Sequence, residues 1–514
     1  MLATFHASSV LTSPNGRQSV RTCANIANVH GVTIALLRTA TSGYRATIMA
    51  RDITPGTLRI ELGATLRLAG PLALANMLQM AVYAVDVIFV ARLGDEALAA
   101  SSLAIAIFML LSMGLAGLTG AVAPLIAAEM GRRFNAVREV RRSVRMALWL
   151  AVLLGLAGVG VCLLGERIML LTGQDPVVSA RAGGFLMVLS GALVPMIVSN
   201  VLRTFVSAMG RPVFATAITA LAILVNALGN YVFVFGHFGA PALGLTGSAI
   251  SSVVTSVVTV AAYVLAIRSD RQLRRFHIFG RWWRPEWLRL RQILTIGVPI
   301  ALTLIAEGGL FSSAAFLMGR IGEAQLAAHT IALQVAAFFF QVPFGVGQAA
   351  TIRVGYHYGA GDRAAIGRAG LASLVLAMGF MLVSASAMFI APRLILSAYI
   401  DVNDPAYAVM IGYALQFLFI AAIFQLSDGL QAVAAGMLRG LQDTRMPLLF
   451  AVLSYWGAGF VMAFALGLLT PMGGAGVWVG LAVGLTVAAI FLILRWHGRE
   501  RYGLLPAAIT PSRS

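Results

Sequence analysis

Three acidic residues lie deep inside long apolar stretches of the chain, namely Asp86, Glu307 and Asp428. An ionised carboxylate in the middle of a membrane helix costs about 2.5–3.5 kcal/mol, so such residues are rare and usually functional. Apolar surroundings favour the neutral acid, which lets a carboxyl group exchange a proton near neutral pH, and carboxylate oxygens also bind monovalent cations. We therefore expect these residues to handle a proton or Na+. The alternative, a carboxylate near a helix end that reaches water, applies best to Asp86.

Two amide side chains accompany the first of these acids. Asn226 and Asn230 are four residues apart, so they share one helix face. Together with Asp86 they could form a polar cluster in the first half of the chain. Glu307 and Asp428 could converge on one ion site in the second half. The alternative for the two amides is a structural bridge between membrane helices.

The composition shows which elements must position these residues. Of the 514 residues, 59% are hydrophobic and 11% are charged, against roughly 45–50% and 25% in soluble domains, so a soluble globular protein is excluded. Backbone groups in lipid must be hydrogen-bonded within their own segment, so apolar runs of about 20 residues are expected to be helices. The sequence thus predicts an all-α membrane protein with twelve transmembrane helices. The predicted helices are residues 68–90, 98–128, 146–164, 184–203, 213–235, 247–267, 293–318, 326–350, 367–390, 407–436, 448–469 and 475–494.

The basic residues indicate how these helices are oriented. The net charge is +18 and all 37 basic residues are arginine. Alternate loops hold 21 and 5 arginines, and short arginine-rich loops stay in the cytoplasm. We therefore predict a multi-pass protein of the cell inner (plasma) membrane with both termini cytoplasmic. Segment 274–292 mixes arginines with aromatic residues; nucleic-acid binding is an alternative there, but an interfacial helix on anionic lipid explains the same residues.

The chain contains an internal duplication. A shift of 228 positions aligns helix starts, loop glycines and helix ends without a gap. The aligned pairs are Pro71 with Pro299, Arg92 with Arg320, Gly94 with Gly322, Gly117 with Gly345, and Gly131 with Gly359. Because each half has an even number of helices, the two six-helix bundles must share one orientation, related by a pseudo-twofold axis along the membrane normal. In such a design the substrate passage lies between the halves, and alternating access comes from rocking one half against the other.

The duplication also predicts the domain boundaries. We assign residues 52–280 to an N-terminal six-helix lobe, and residues 281–514 to a C-terminal six-helix lobe with a short cytoplasmic tail. Residues 1–51 contain no acidic residue. We expect this N-terminal extension to be disordered or not translated, because Met49 offers a second start. A transit peptide is the alternative.

Four segments resemble the multidrug and toxic compound extrusion (MATE) family, in its NorM-type bacterial branch. The resemblance covers roughly residues 58–495, and its most specific segment is DGLQAVAAGMLRGLQDTRMP at 428–447. Support comes from VDVIFVARLG at 85–94, LIAEGGLFSSAAFLMGRIG at 304–322 and VNALGNYVFVFG at 225–236.

The resemblance implies roles for the polar residues inside the helices. Glu307 and Asp428 would form the coupling-ion site of the C-terminal lobe. Asp86 would form a second coupling or substrate site in the N-terminal lobe, together with the paired Asn226 and Asn230. Some family members place a tyrosine one turn before the tenth-helix acid, where this chain has phenylalanine 424. A hydroxyl ligand for sodium or substrate would therefore be missing there.

The resemblance also implies the activity, which is multidrug efflux by a secondary active transporter. Bulky, often cationic drugs would be exported in antiport with Na+ or H+, giving antibiotic resistance. We expect no cofactor besides the coupling ion, no nucleic-acid partner, and a monomer in the lipid bilayer.

Three other classes of protein are weighed against this one. A pure channel is the first, but duplicated halves that each carry carboxylates inside the membrane favour alternating access. A flippase for lipid-linked oligosaccharide shares the architecture, but it is expected to have a cationic cavity for pyrophosphate, and no arginine is predicted in mid-helix here. An enzyme is not expected, because HExxH, the P-loop GxxxxGK and Ser/His or Cys/His constellations are missing from the predicted helices.

Overall fold

The computed structural model describes residues 58–132, 135–280 and 283–506, and within these ranges the chain is helical without a β-strand. Twelve helices are long and apolar enough to cross a membrane, which confirms the predicted fold. In chain order they are α1 Leu58–Ala91, α2 Asp95–Arg132, α3 Ala136–Leu163, α4 Pro176–Ala208, α5 Pro212–Phe235, α6 Leu245–Ser269, α7 Trp287–Ile321, α8 Glu323–Ala360, α9 Arg363–Ile390, α10 Pro405–Gly440, α11 Arg445–Leu468 and α12 Gly474–His497. The extension predicted for residues 1–51 lies outside the described residues.

Several helices are longer than the apolar runs that predicted them. α1 begins at Leu58 rather than 68, and α8 continues past 350 to Ala360. The added turns carry Glu61 on α1 and Arg353 on α8, which are buried and joined by hydrogen bonds of 2.9 and 2.7 Å. Because these two charges satisfy each other, the helices continue beyond the point where the apolar run ends.

The two halves of the chain contact each other in symmetric pairs. A Cβ added at Gly117 of α2 would lie 3.1 Å from the Ala301 Cα of α7. A Cβ added at Gly345 of α8 would lie 2.8 Å from the Ala73 Cα of α1. Each residue of the second contact is related to one of the first by the 228-residue shift. Such reciprocal contacts are the mark of a twofold axis, here the pseudo-twofold axis that the duplication predicts.

A second symmetric pair lies where α2 and α8 end. A Cβ at Gly131 would lie 2.0 Å from the Tyr356 carbonyl oxygen, and one at Gly359 would lie 1.9 Å from the Ala128 carbonyl oxygen. Only glycine permits this approach of the two backbones. α1 begins and α2 ends at this end of the bundle. We call it the arginine-rich end, because its loops belong to the set that holds 21 arginines. The symmetric contacts lie between the middle of the helices and the arginine-rich end.

Candidate functional site

The structure brings together the three polar residues singled out in the first half. The Asp86 Oδ1 of α1 accepts hydrogen bonds from the Asn226 and Asn230 amides of α5, at 2.9 and 2.8 Å. Its Oδ2 accepts a hydrogen bond from the Ser252 hydroxyl of α6 at 3.2 Å. All three donors are neutral. A carboxylate with neutral donors keeps the ability to take up a proton or a cation, which an arginine partner would remove.

The local sequence of α5 explains how this cluster is held. The four-residue spacing places both amides on one face, and Asn230 also donates to the Asn226 carbonyl oxygen at 3.0 Å. Gly229 lies between them, where an added Cβ would meet the Ser251 hydroxyl oxygen at 2.5 Å, so that α6 packs closely against α5. Ser251 in turn donates to the Asn226 carbonyl oxygen at 2.9 Å. Both amides are fully buried, so their orientation is fixed by packing and hydrogen bonds.

A cavity of about 260 Å³ lies beside the Asp86 carboxylate, within the first half. Its walls come from α1, α2, α4, α5 and α6, and they are mostly apolar with a few hydroxyl groups. The aromatic and methionine side chains of the cavity wall include those of Phe108, Met109, Phe185 and Met196. This combination of an apolar wall with a few polar groups is typical of sites for small organic molecules.

One residue of this cavity corrects a sequence-based expectation. The predicted helix 184–203 ends at Arg203, which is one of the 21 arginines counted in the arginine-rich loops. In the structure α4 continues to Ala208, and Arg203 lines the cavity. The residues that follow Arg203 are mostly apolar, so this signal for a longer helix was present. Arg203 therefore lies inside α4, five residues before its end, and not in a loop.

In the second half, one amide connects the two predicted acids. The Gln431 Nε2 of α10 donates to the Glu307 Oε1 of α7 at 3.0 Å and to the Asp428 Oδ1 of its own helix at 3.3 Å. The Tyr455 hydroxyl of α11 donates to the Gln431 Oε1 at 2.9 Å. Three helices thus bring two carboxyl groups, an amide and a phenol together, and the predicted convergence of Glu307 and Asp428 is observed.

Sequence reasoning missed Gln431 and Tyr455. Gln431 follows Asp428 by three residues, a spacing that places both on one helix face and could have been noticed. Tyr455 gave no such signal, since it lies on another helix, in the π-helical turn Leu453–Phe460. Such turns widen a helix locally and often occur at functional sites.

The structure also shows the surroundings of position 424, where some family members have a tyrosine. Phe424 is buried and packs edge-on against Trp478, with ring centroids 5.6 Å apart. It contributes no oxygen to the polar cluster. The Tyr455 hydroxyl reaches the cluster from α11, so the cluster contains a phenolic oxygen although position 424 supplies none.

The second cluster combines oxygen groups that suit a small monovalent ion. Two neighbouring carboxylates repel each other unless a proton or a cation offsets their charge. The amide and phenol oxygens are further neutral ligands. No group of three or more His, Cys, Asp or Glu side chains that could hold a metal ion occurs within residues 58–132, 135–280 and 283–506. Two carboxyl groups beside neutral oxygen atoms are chemically suited to a proton or to one monovalent cation.

Comparison with known proteins identifies the family. The family model MatE matches residues 71–232 and again residues 299–465. The chain is 43% identical over 444 residues to the "Probable multidrug resistance protein NorM" of Mesorhizobium japonicum, covering 86% of this chain and 95% of that one. It is 35% identical over 442 residues to the protein of the same name from Synechocystis sp., covering 86% and 95% of the two chains.

Solved structures show the same fold. The eukaryotic MATE transporter AtDTX14 superposes with a TM-score of 0.77 at 19% identity, covering 86% of this chain and 96% of that one. An outward-facing multidrug resistance MATE family transporter superposes with a TM-score of 0.76 at 22% identity, over 86% and 96% of the chains. The family model matches both halves, and the relatives cover most of the chain. The chain therefore belongs to the MatE family of multidrug and toxic compound extrusion transporters, and it is a multi-pass membrane transporter rather than an enzyme.

Proposed function

We propose that this protein is a secondary active multidrug efflux transporter, which exports bulky, often cationic compounds in antiport with Na+ or H+ by alternating access. The observation that carries the proposal is a pair of polar clusters, one in each half, in which carboxyl groups have only neutral hydrogen-bond donors. The protein would work as a monomer in the cell inner membrane, with both termini in the cytoplasm and no cofactor besides the coupling ion.

The second-half cluster is proposed as a coupling-ion site. Glu307 and Asp428 contact the same amide nitrogen of Gln431, so a proton or Na+ bound there offsets the repulsion between them. Each elementary charge that moves down a 100 mV potential supplies about 2.3 kcal/mol. Ion entry at this site is therefore able to drive the export of a second molecule.

The first-half cluster is proposed to link the ion to the exported compound. Asp86 lies in the wall of the apolar cavity, where its carboxylate would attract a cationic compound. Protonation or Na+ binding at Asp86, held by Asn226 and Asn230, removes that attraction. The ion and the compound would then compete for one carboxylate, which is the requirement for exchange.

Alternating access is supported by the place where the halves meet. The backbone contacts of Gly131 and Gly359 and the ion pair of Glu61 with Arg353 lie at the arginine-rich end. That end is predicted to face the cytoplasm. The lobes, proposed as residues 52–280 and 281–514, would rock about the pseudo-twofold axis, and closure at this end corresponds to an outward-facing state.

The flippase alternative is not favoured. The relatives that match most of this chain are named for multidrug resistance. The presence of Arg203 in the cavity removes one argument that the sequence offered against a flippase, since the cavity contains a cationic group. That single arginine lies beside an acid-bearing, mostly apolar wall, which suits an organic cation better than a pyrophosphate group.

Transport by purified protein in liposomes tests the proposal. Imposed Na+ and H+ gradients, applied separately, should show which of them drives uphill movement of a cationic dye. Glu307→Gln and Asp428→Asn should abolish gradient-driven movement, because both remove a charge without changing size. Asp95→Asn, at the exposed start of α2, is the matched control. Normal transport by both site variants would refute the ion-site assignment.

A further inference from the structure

The chain that joins the two halves exposes several arginines at the end of α6. Arg268, Arg271 and Arg274 are exposed, and none of them belongs to an ion pair in the described part of the chain. The acid between them, Asp270, already pairs with Arg211 of α4–α5 at 3.6 Å. The three guanidinium charges therefore have no anion of the described chain to balance them.

A second cavity, of about 170 Å³, lies beside two of these arginines. Arg268 and Arg274 line it together with Leu273 and Ile278, whose side chains are buried. The Arg268 guanidinium carbon lies 5.8 Å from the ring centre of Phe279, which also lines the cavity. Such a cation–π contact holds a guanidinium in place without neutralising its charge. The cavity thus combines an apolar floor with a cationic rim, which is complementary to a phosphate group attached to an apolar chain.

The position of this cavity along the helices matches the level of the lipid headgroups. Arg268 directly follows the apolar run 247–267 of α6. Trp287, at the start of α7, precedes the apolar run 293–318 by six residues, which is about 9 Å of helix. The headgroup region on each side of the hydrocarbon core is roughly 5–8 Å thick. Both residues are therefore within reach of the headgroups at the arginine-rich end.

Two exposed tryptophans lie next to the cationic rim in the sequence. Trp283 and Trp287 are 76% and 73% exposed, and Leu288 is 82% exposed. Tryptophan is enriched at membrane–water interfaces, where its ring contacts lipid and its N–H contacts water. Surfaces that combine arginines with exposed tryptophan and leucine bind membranes that contain anionic lipid. A free phosphate ion would leave both indole rings in water, whereas a membrane lipid would cover them.

The corresponding end of the second half differs from this arrangement. α12, the last helix of that half, ends at His497, and its Arg495 pairs with Asp443 at 2.9 Å. Arg499 donates a hydrogen bond to the Trp496 carbonyl oxygen at 3.0 Å, and its guanidinium carbon lies 4.7 Å from the centre of the same ring. These arginines have partners within the protein. Arginines without an anionic partner are thus a particular feature of the end of α6.

We propose that the cavity at the end of α6 binds an anionic phospholipid from the bilayer leaflet at the arginine-rich end. The lipid phosphate lies at Arg268 and Arg274, and the apolar part of the lipid lies against Leu273 and Ile278. The inference goes beyond the proposed efflux function, because it assigns a lipid site to the chain that joins the halves. A lipid bound there fixes this joint to the membrane surface.

Competition between two lipids with the same acyl chains tests this inference. Purified full-length protein is mixed with equal amounts of dioleoylphosphatidylglycerol, which is anionic, and dioleoylphosphatidylcholine, which is zwitterionic, and the retained lipid is identified by native mass spectrometry. Each arginine near an anionic headgroup is expected to favour the anionic lipid about fivefold, so the wild type should prefer it roughly twentyfold. Arg268→Gln and Arg274→Gln should each reduce this preference about fivefold, and the double variant should remove it.

Two other exposed arginines provide the matched control. Arg92 and Arg393 belong to the opposite set of loops and do not line the cavity. The double variant Arg92→Gln with Arg393→Gln removes the same amount of charge and should keep the preference for the anionic lipid. Inorganic phosphate in large excess should not displace the bound phosphatidylglycerol, because it lacks the apolar part. Thermal unfolding curves show whether each variant is folded, and either single variant replaces the double variant if that one is not.

Each outcome of this experiment decides for or against the lipid site. A preference for phosphatidylglycerol that disappears in the Arg268 and Arg274 variants but persists in the control supports it. Equal retention of the two lipids by the wild type, or an unchanged preference in the folded site variants, overturns it. Displacement of the lipid by inorganic phosphate would assign the cavity to free phosphate instead. Binding of a single-stranded oligonucleotide by these arginines, without a preference between the lipids, would assign the surface to nucleic acid.

Discussion

The Arg353 guanidinium of α8 holds the Glu61 carboxylate of α1 through two parallel hydrogen bonds, with N–O distances of 2.9 and 2.7 Å. Only 4% and 7% of the two side chains are exposed, so the pair is screened little by solvent. His357, one turn further along α8, places its Nε2 at 3.7 Å from the same carboxylate. The pair joins the first half of the chain to the second at the arginine-rich end, and it favours the conformation in which the halves touch there.

Removal of one partner of this pair should destabilise the protein. Glu61→Gln leaves the Arg353 charge buried and unpaired. In other proteins the loss of one partner of a buried pair lowers the free energy of unfolding by roughly 3–5 kcal/mol. We expect a clearly lower thermal unfolding midpoint in detergent. Glu96→Gln is the control, because the Glu96–Arg181 pair is exposed and such pairs contribute about 0–1 kcal/mol. The double variant Glu61→Gln with Arg353→Gln should lose less stability than the sum of the losses in the two single variants. A loss equal to that sum would argue against an interaction between the two residues.

An alanine at Gly359 should prevent the halves from meeting. The new Cβ would lie 1.9 Å from the Ala128 carbonyl oxygen, so one backbone must move. Overpacking of this kind typically costs about 1–3 kcal/mol, and we expect a lower unfolding midpoint and impaired transport. Gly379→Ala in α9, where a Cβ meets nothing within 4 Å, should be neutral or slightly stabilising. Equal behaviour of the two variants would show that the halves are not packed here as described.

Loss of the Tyr455 hydroxyl should weaken binding of the coupling ion. In Tyr455→Phe the Gln431 side chain loses a hydrogen bond of 2.9 Å, a contribution of about 0.5–1.5 kcal/mol. We expect the ion concentration for half-maximal transport to rise by at most roughly tenfold, with the maximal rate largely kept. Tyr413→Phe is the control, because it also removes a phenolic hydroxyl, but from a ring that stacks on Phe417. A complete loss of transport in folded Tyr455→Phe would mean that the hydroxyl has a larger role than ligand support.

We expect the charge of Asp86, more than the shape of its side chain, to determine how tightly the protein binds a cationic dye. Asp86→Asn keeps the size of the side chain beside Asn226 and Asn230, so the protein should stay folded. It should bind a permanently cationic dye at least roughly tenfold more weakly, because the carboxylate that attracts the cation is gone. Dye titration of the two proteins at several salt concentrations measures this effect. Unchanged dye affinity would place the cation elsewhere in the cavity.

Much of the fold could be predicted from local patterns in the sequence. Twelve apolar runs specify twelve helices, because lipid requires each segment to satisfy its own backbone. The 228-residue repeat predicted two matching halves, and the reciprocal contacts of Gly117 and Gly345 agree with it. The exact division at residues 280 and 281 stays a prediction, since residues 281 and 282 lie outside the described part. The helix ends were less predictable. α1 and α8 extend beyond their apolar runs at Glu61 and Arg353, where two charged side chains are buried against each other.

The sequence by itself determined which residues are costly in lipid, namely Asp86, Glu307 and Asp428, since that cost depends on residue type and on the surrounding apolar run. Beyond the predicted grouping of Asp86 with the two asparagines and of Glu307 with Asp428, the tertiary structure alone decided which further partners those residues have. Gln431 and Tyr455 reach the second cluster from different helices, and Arg203 enters the first cavity because α4 continues beyond its apolar run. Hydrogen bonds between helices depend on crossing geometry and on distances of a few ångströms, which no spacing within one helix encodes.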